Sequence, residues 1–132
     1  MQLQRIHHVS INVADLGAAL DFYVDTLGLS ILHHRPDLGF PGAWLDAGEQ
    51  EIHLIEVADF APPAGQHFAF EVTDLATALD ELATKNVRVS SPSTMEGICV
   101  QAFLTDPTGN LIELNQRVHP HRTGSVSDGS AG

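Results

Sequence analysis

Four side chains able to bind a divalent metal, His8, His53, His67 and Glu113, fall at positions related by an internal repeat. The stretch from His8 to Leu20 recurs 59 residues later from His67 to Leu79, with Asp15-Leu16 matched by Asp74-Leu75. Glu51-Ile52-His53-Leu54 recurs 60 residues later as Leu111-Ile112-Glu113-Leu114. Two similar modules packed about a pseudo-twofold axis bring corresponding residues together. The first strands would supply His8 and His67, and the last strands His53 and Glu113. Imidazole and carboxylate suit first-row divalent ions such as Ni, Zn, Fe, Co or Mn. A lone histidine at a strand start is more often a hydrogen-bonded structural residue, and the repeat is what lifts these four above that reading. His53 and Glu113 also interrupt otherwise apolar strands, where an ionised carboxylate is costly unless paired or coordinated.

The elements that position these residues follow the same repeat. Alternation of apolar residues across 8–14 and 67–73 predicts half-buried strands. Asp15 and Asp74 are helix N-caps, because a short carboxylate can accept from the free N–H groups of the first turn. The helices run to about Leu27, stopped by Gly28, and to about Lys85, with Asn86 as a left-handed terminator. Strands are expected at about 29–34, 42–47 and 50–57, then at about 87–91, 99–105 and 110–117. Asp106-Pro107-Thr108-Gly109 is a turn between the last two. The fold class is α+β, two tandem βαβββ modules whose curved mixed sheet surrounds a metal-binding cavity. One domain covers 1–117, with modules at about 5–57 and 66–117. Residues 118–132, rich in His, Pro, Ser and Gly, form a flexible tail that removes His119 and His121 from the site. His7 alternates away from His8, and His33 and His34 are surface or hydrogen-bonded residues.

Composition limits the partners. Seventeen acidic against six basic residues give a formal charge of −11, which repels nucleic acid and anionic membranes. No apolar run reaches the ~20 residues of a membrane-spanning helix, and the N-terminus shows no secretory pattern. With one cysteine, no intrachain disulfide forms. A cytoplasmic protein acting on a small molecule is the expectation.

His8-Val9, Asp15-Leu16, Asp21-Phe22-Tyr23-Val24-Asp25-Thr26-Leu27-Gly28, and Asp106-Pro107-Thr108-Gly109-Asn110 leading into Ile112-Glu113-Leu114 resemble the vicinal oxygen chelate superfamily. That group includes glyoxalase I, extradiol dioxygenases, and fosfomycin- and bleomycin-resistance proteins. The resemblance covers 5–117 and implies ligand roles for His8, His53, His67 and Glu113, with Glu113 also the catalytic base. His53 stands where a carboxylate is usual. Asn12 stands where glyoxalase I enzymes commonly carry an arginine for glutathione, so a glutathione adduct is not the substrate these residues point to. Four ligands leave two positions of an octahedron for two neighbouring substrate oxygens. The expected activity is that of a glyoxalase-like lyase or isomerase that stabilises an enediolate. An Fe(II) dioxygenase is the alternative, with His8, His67 and Glu113 as a facial triad and His53 off the metal. A metal-free drug-binding protein, its pocket lined from Trp44, Phe40, Phe60 and Phe103, is the third reading. The short linker with Pro62-Pro63 and the superfamily's habit of sharing sites imply a homodimer, His8 and His53 coming from one chain and His67 and Glu113 from its partner.

Overall fold

The computed structural model describes residues 1–119; the remainder of the tail, with His121 and the expected flexibility there, lies outside the described residues. Each module is βαβββ. The first runs β1 (His8–Val13), α1 (Leu16–Leu20) continuing as a π-helical turn (Asp21–Thr26), β2 (Ser30–Leu32), β3 (Gly42–Ala47) and β4 (Gln50–Glu56). The second runs β5 (His67–Glu71), α2 (Leu75–Thr84), β6 (Ser93–Met95), β7 (Cys99–Thr105) and β8 (Leu111–Arg117). Each makes a four-stranded sheet, in the orders β1-β4-β3-β2 and β5-β8-β7-β6. The α+β fold of two repeated modules is therefore what the chain adopts. Two compact units are distinguished along the chain: Met1–Phe68 with Leu104–Ile112, and Ala69–Phe103 with the described residues from Glu113 onward.

In the first sheet β1 runs parallel to β4, and β4-β3 and β3-β2 are antiparallel. Alternation sorts the side chains onto two faces. Val9 and Ile11 pair with Ile52 and Leu54, and Ala43 and Leu45 continue that face. Val13, Leu45, Leu54 and Ile52 are essentially buried there. Burial of each such side chain contributes about 2 kcal/mol. The opposite face carries His8, Ser10 and Asn12, then Glu51, His53 and Ile55, then Trp44 opposite His53.

The helices begin as expected. Asp15 Oδ1 accepts from the Ala18 amide and Asp74 Oδ2 from the Thr77 amide, and the Thr77 hydroxyl also donates to Asp74. A second device repeats as well: the Leu16 amide donates to Glu56 Oε2 at 2.8 Å, and the Leu75 amide to Gln116 Oε1 at 2.7 Å. These acceptors, 60 residues apart at the ends of β4 and β8, tie each helix start to the last strand of its module. Gly28, at φ +85°, and Asn86, at φ 59°, end the helices in the left-handed conformation.

Strand β6 lies at Ser93–Met95 rather than at 87–91. Ser90 explains the shift. Its amide donates to the Phe103 carbonyl, and its hydroxyl accepts from the Phe103 amide at 2.8 Å. A side chain thus takes one bond of the ladder. Pro92 has no N–H to offer, so regular pairing begins only after it.

The Asp106 turn is a tightly bonded knot. Asp106 Oδ1 accepts from the amides of Thr108, Gly109 and Asn110, each at 2.9 Å. Its Oδ2 accepts from the Tyr23 hydroxyl at 2.8 Å and from the Asn110 amide group at 2.9 Å. Asn110 also donates to the Asn12 carbonyl, and Thr108 Oγ1 accepts from the Ala14 amide. Tyr23 is fully buried, and burial, reinforced by the Asp106 charge, pushes its phenol far above the usual range. Cys99, the lone cysteine, is buried at the start of β7. Among the described residues no helix is long and apolar enough to cross a membrane.

Candidate metal centre and substrate groove

Strand pairing alone brings His8 and His53 together. The β1–β4 register sets His53 beside Ser10, one alternation from His8, and both side chains leave the same face. Their rings stack at 3.9 Å between centroids and 13° between planes. The other face of the His53 ring stacks on Trp44 at 4.5 Å and 11°, and His34 meets Trp44 edge-on at 5.2 Å. The result is a column of flat rings across three strands.

Each imidazole of the pair has one nitrogen engaged. His53 Nε2 lies 2.8 Å from Glu51 Oε1, two residues away on the same strand face. His8 Nδ1 lies 2.8 Å from His7 Nδ1. The expectation that His7 points away from His8 fails because His7 precedes the strand, where alternation does not yet apply. Local desolvation, with His53 and His7 as like-charged neighbours, holds the exposed His8 imidazole below its usual range. It therefore favours the neutral form that a metal requires. The hydrogen bond from His53 holds the half-buried Glu51 carboxyl below its own usual range.

His67 opens β5, exposed, and its Nδ1 donates to the Gly65 carbonyl at 2.9 Å. That bond places the proton on Nδ1 and the lone pair on Nε2. Glu113 lies on β8, buried between Ile112 and Leu114, and its Oε2 accepts from the Asn115 amide at 2.7 Å. Among the described residues, no three His, Cys, Asp or Glu side chains gather as a metal-holding group. His8 and His53 are thus side by side, and within one chain the four ligand candidates do not form such a group. The donor set nonetheless fits a divalent ion in its chemistry. His53 and His67 each present one nitrogen bonded to an oxygen, the outer contact that metal-ligating histidines characteristically make.

Two cavities open on the first unit. The larger, about 500 Å³, is lined by Ser10, Asn12, Phe60, Pro62, His67 and Asn110, among others. The smaller, about 190 Å³, lies against the ring column, between Trp44, His53, Ser10, Arg35, Leu38 and Phe40. Of the aromatics considered for a binding pocket, Trp44 and Phe40 line the smaller cavity and Phe60 the larger; Phe103 lies on β7. Glu51 and Arg35 are parts of the site that the sequence reading did not single out, and Trp44 entered it only as a pocket aromatic. The Glu51–His53 spacing of two on a strand was the available signal, because it puts both on one face.

Comparison with known proteins agrees with the fold. The family model of the Glyoxalase/Bleomycin resistance protein/Dioxygenase superfamily matches residues 5–114. A probable lactoylglutathione lyase of Synechocystis sp. is 34% identical over 122 residues, covering 83% of this chain and 92% of that protein. A probable chloroplastic lactoylglutathione lyase of Arabidopsis thaliana is 29% identical over 127 residues; the match covers 86% of this chain but only 36% of that protein. A crystal structure of a putative glyoxalase family protein from Bacillus anthracis superposes with a TM-score of 0.81 at 27% identity, covering 89% of this chain and 98% of that one. With the family model spanning both modules, the chain belongs to the Glyoxalase/Bleomycin resistance protein/Dioxygenase superfamily.

Proposed function

We propose that the protein is a divalent-metal-dependent lyase or isomerase of the glyoxalase type, acting on a small substrate with two neighbouring oxygens. His8, His53, His67 and Glu113 hold the metal, the first two from one chain and the last two from its partner in a homodimer. The observation that carries the reading is the His8–His53 pair on the open face of the first sheet, with Glu51 fixing His53 from outside. The metal, when bound, polarises the substrate oxygens and eases loss of a proton from the carbon beside the carbonyl. Glu113 receives that proton; Asn115 holds one of its oxygens and so limits the directions in which the carboxylate can turn. Relatives carrying the name lactoylglutathione lyase support the reaction class. Asn12 in place of an anion-binding residue argues for a substrate without glutathione.

The test is elemental analysis of protein purified without an affinity tag after metal-supplemented growth, together with assays on 2-oxoaldehydes and catechols. About one equivalent of a transition metal per chain is expected. His8→Ala, His67→Ala and Glu113→Ala should each weaken metal binding at least about tenfold. Under a tenth of an equivalent of any such metal would end the proposal.

A second reading draws on the same pair. His53, with Nε2 held by Glu51 and its ring packed between His8 and Trp44, is already well satisfied. If it stays off the metal, His8, His67 and Glu113 make the two-histidine, one-carboxylate triad of an Fe(II) dioxygenase. Unchanged metal binding in His53→Ala, with oxygen consumed in the presence of a catechol, would decide for that reading.

A further inference from the structure

The smaller cavity contains a guanidinium with little structural employment. Arg35 is one of six basic residues in a chain of charge −11. It donates one hydrogen bond, from Nη2 to the Phe40 carbonyl at 3.0 Å, and lies 5.3 Å from the Phe40 ring centroid. No carboxylate pairs with it among the described residues. Its position is nevertheless prepared. A Cβ on Gly42 would come within 2.4 Å of the Leu54 carbonyl, which keeps the position side-chain-free, and the guanidinium lies over it, with Nη2 2.9 Å from where that Cβ would be. Four of the five donors of a guanidinium remain beyond the one bond to Phe40.

The surroundings of this charge are apolar and flat. Trp44 and His53 form one wall as a stacked pair, and Leu38 and Phe40 form another. Leu38 and Phe40 are 45% and 42% exposed, so both leave apolar surface open beside the guanidinium. At about 190 Å³ the space is below the roughly 300 Å³ of a drug-sized site. It has room for a single ring. His53 on its wall joins this groove to the proposed metal centre.

We propose that the Arg35 groove binds an aromatic carboxylic acid, its ring between the Trp44–His53 stack and the Leu38/Phe40 loop and its carboxylate on the Arg35 guanidinium. In the enzyme reading this makes the substrate an aryl-substituted small acid, a statement that rests on that reading, whereas the binding itself does not. A fixed guanidinium suits a planar carboxylate because two N–H groups can meet two oxygens. In a strongly acidic chain an anion would otherwise be repelled, so an arginine with no carboxylate partner among the described residues is the complementary charge.

Trp44 is the only tryptophan, so its fluorescence reads the groove wall directly. The full-length chain is titrated with phenylacetate, with the neutral phenylacetamide of similar shape, and with cyclohexylacetate, calorimetry being run in parallel. Phenylacetate should quench Trp44 and bind at least about tenfold more tightly than the amide, the scale of a charge-assisted contact. Cyclohexylacetate should bind more weakly than phenylacetate, since it has no π face for edge-to-face contact with Trp44 and His53. Arg35→Gln should abolish the preference for the acid while leaving amide affinity within about twofold. Should Arg35→Gln fail to fold, the comparison of acid with amide on the unaltered chain decides alone. Equal affinity for acid and amide, heat of binding without quenching, or a preference retained in Arg35→Gln would each overturn the proposal. Repeating the titration in EDTA separates the two claims. Preference for the acid in metal-stripped protein upholds the groove even if the metal reading fails, and its absence there refutes the groove while a measured metal stoichiometry still stands.

Discussion

At the scale of single residues, two carboxylates show how placement decides role. Glu51 is half-buried, and its contact with His53 Nε2 gives it influence over a candidate ligand. Glu51→Gln keeps an acceptor but removes the charge, and metal affinity should fall roughly tenfold, as seen when outer partners of ligating histidines are lost. Competition with a chromophoric chelator measures it, and an unchanged affinity would place His53 off the metal. Asp106, 4% exposed, works instead as a structural hub, with Tyr23 as its buried donor. Because burial and Asp106 raise the Tyr23 phenol, the folded state holds the neutral form when the unfolded chain would ionise. The stabilising effect is complete below the unfolded value near pH 10 and is lost as pH rises beyond it, at up to about 1.4 kcal/mol per pH unit. As Tyr23 is the only tyrosine, tyrosinate absorbance should rise together with the loss of circular dichroism. Tyrosinate formation in still-folded protein at pH 11 would contradict this. Tyr23→Phe should cost about 1–3 kcal/mol at neutral pH and flatten the alkaline slope.

At the scale of elements, the helix starts are where repetition is most exact in physical terms. Asp74 caps α2 through the Thr77 amide and hydroxyl, and Gln116 adds a bond to the Leu75 amide. Asp74→Ala should lower stability by about 1 kcal/mol in urea unfolding; an unmoved midpoint would mean Gln116 alone suffices. The caps, the glycine and asparagine stops and most strands were legible in the sequence, because they depend on local chemistry and on alternation. Three features were not. The position of β6 turns on a Ser90 hydroxyl competing with a strand ladder, which no periodicity registers. The Tyr23–Asp106 bond joins residues 83 apart, so the turn could be read but not its buried partner. Arg35 becomes meaningful only beside Gly42 and Phe40, whose closeness comes from the folded loop. By contrast, the repeat marked both His8 and His53 as candidate ligands, while their adjacency comes from the β1–β4 register.

At the scale of the whole molecule, the proposed division of ligands between chains has a direct test. A His8→Ala chain and a Glu113→Ala chain each spoil both sites of a homodimer. A heterodimer of the two would contain one site with all four ligands. Unfolding and refolding an equal mixture should recover roughly a quarter of unmodified metal binding, given statistical pairing, since half of the dimers would carry one intact site of two. No recovery, or full metal binding by a monomer at micromolar concentration, would refute the shared site. Cys99 offers a view of motion that needs neither metal nor substrate. Only 3% exposed and the chain's sole thiol, it is shielded from reagents in the native state. Alkylation therefore waits on an opening of β7, and its rate counts such openings one by one. Where the labelling rate stops rising with reagent concentration, it equals the opening rate itself, making the lone thiol a clock for the second module.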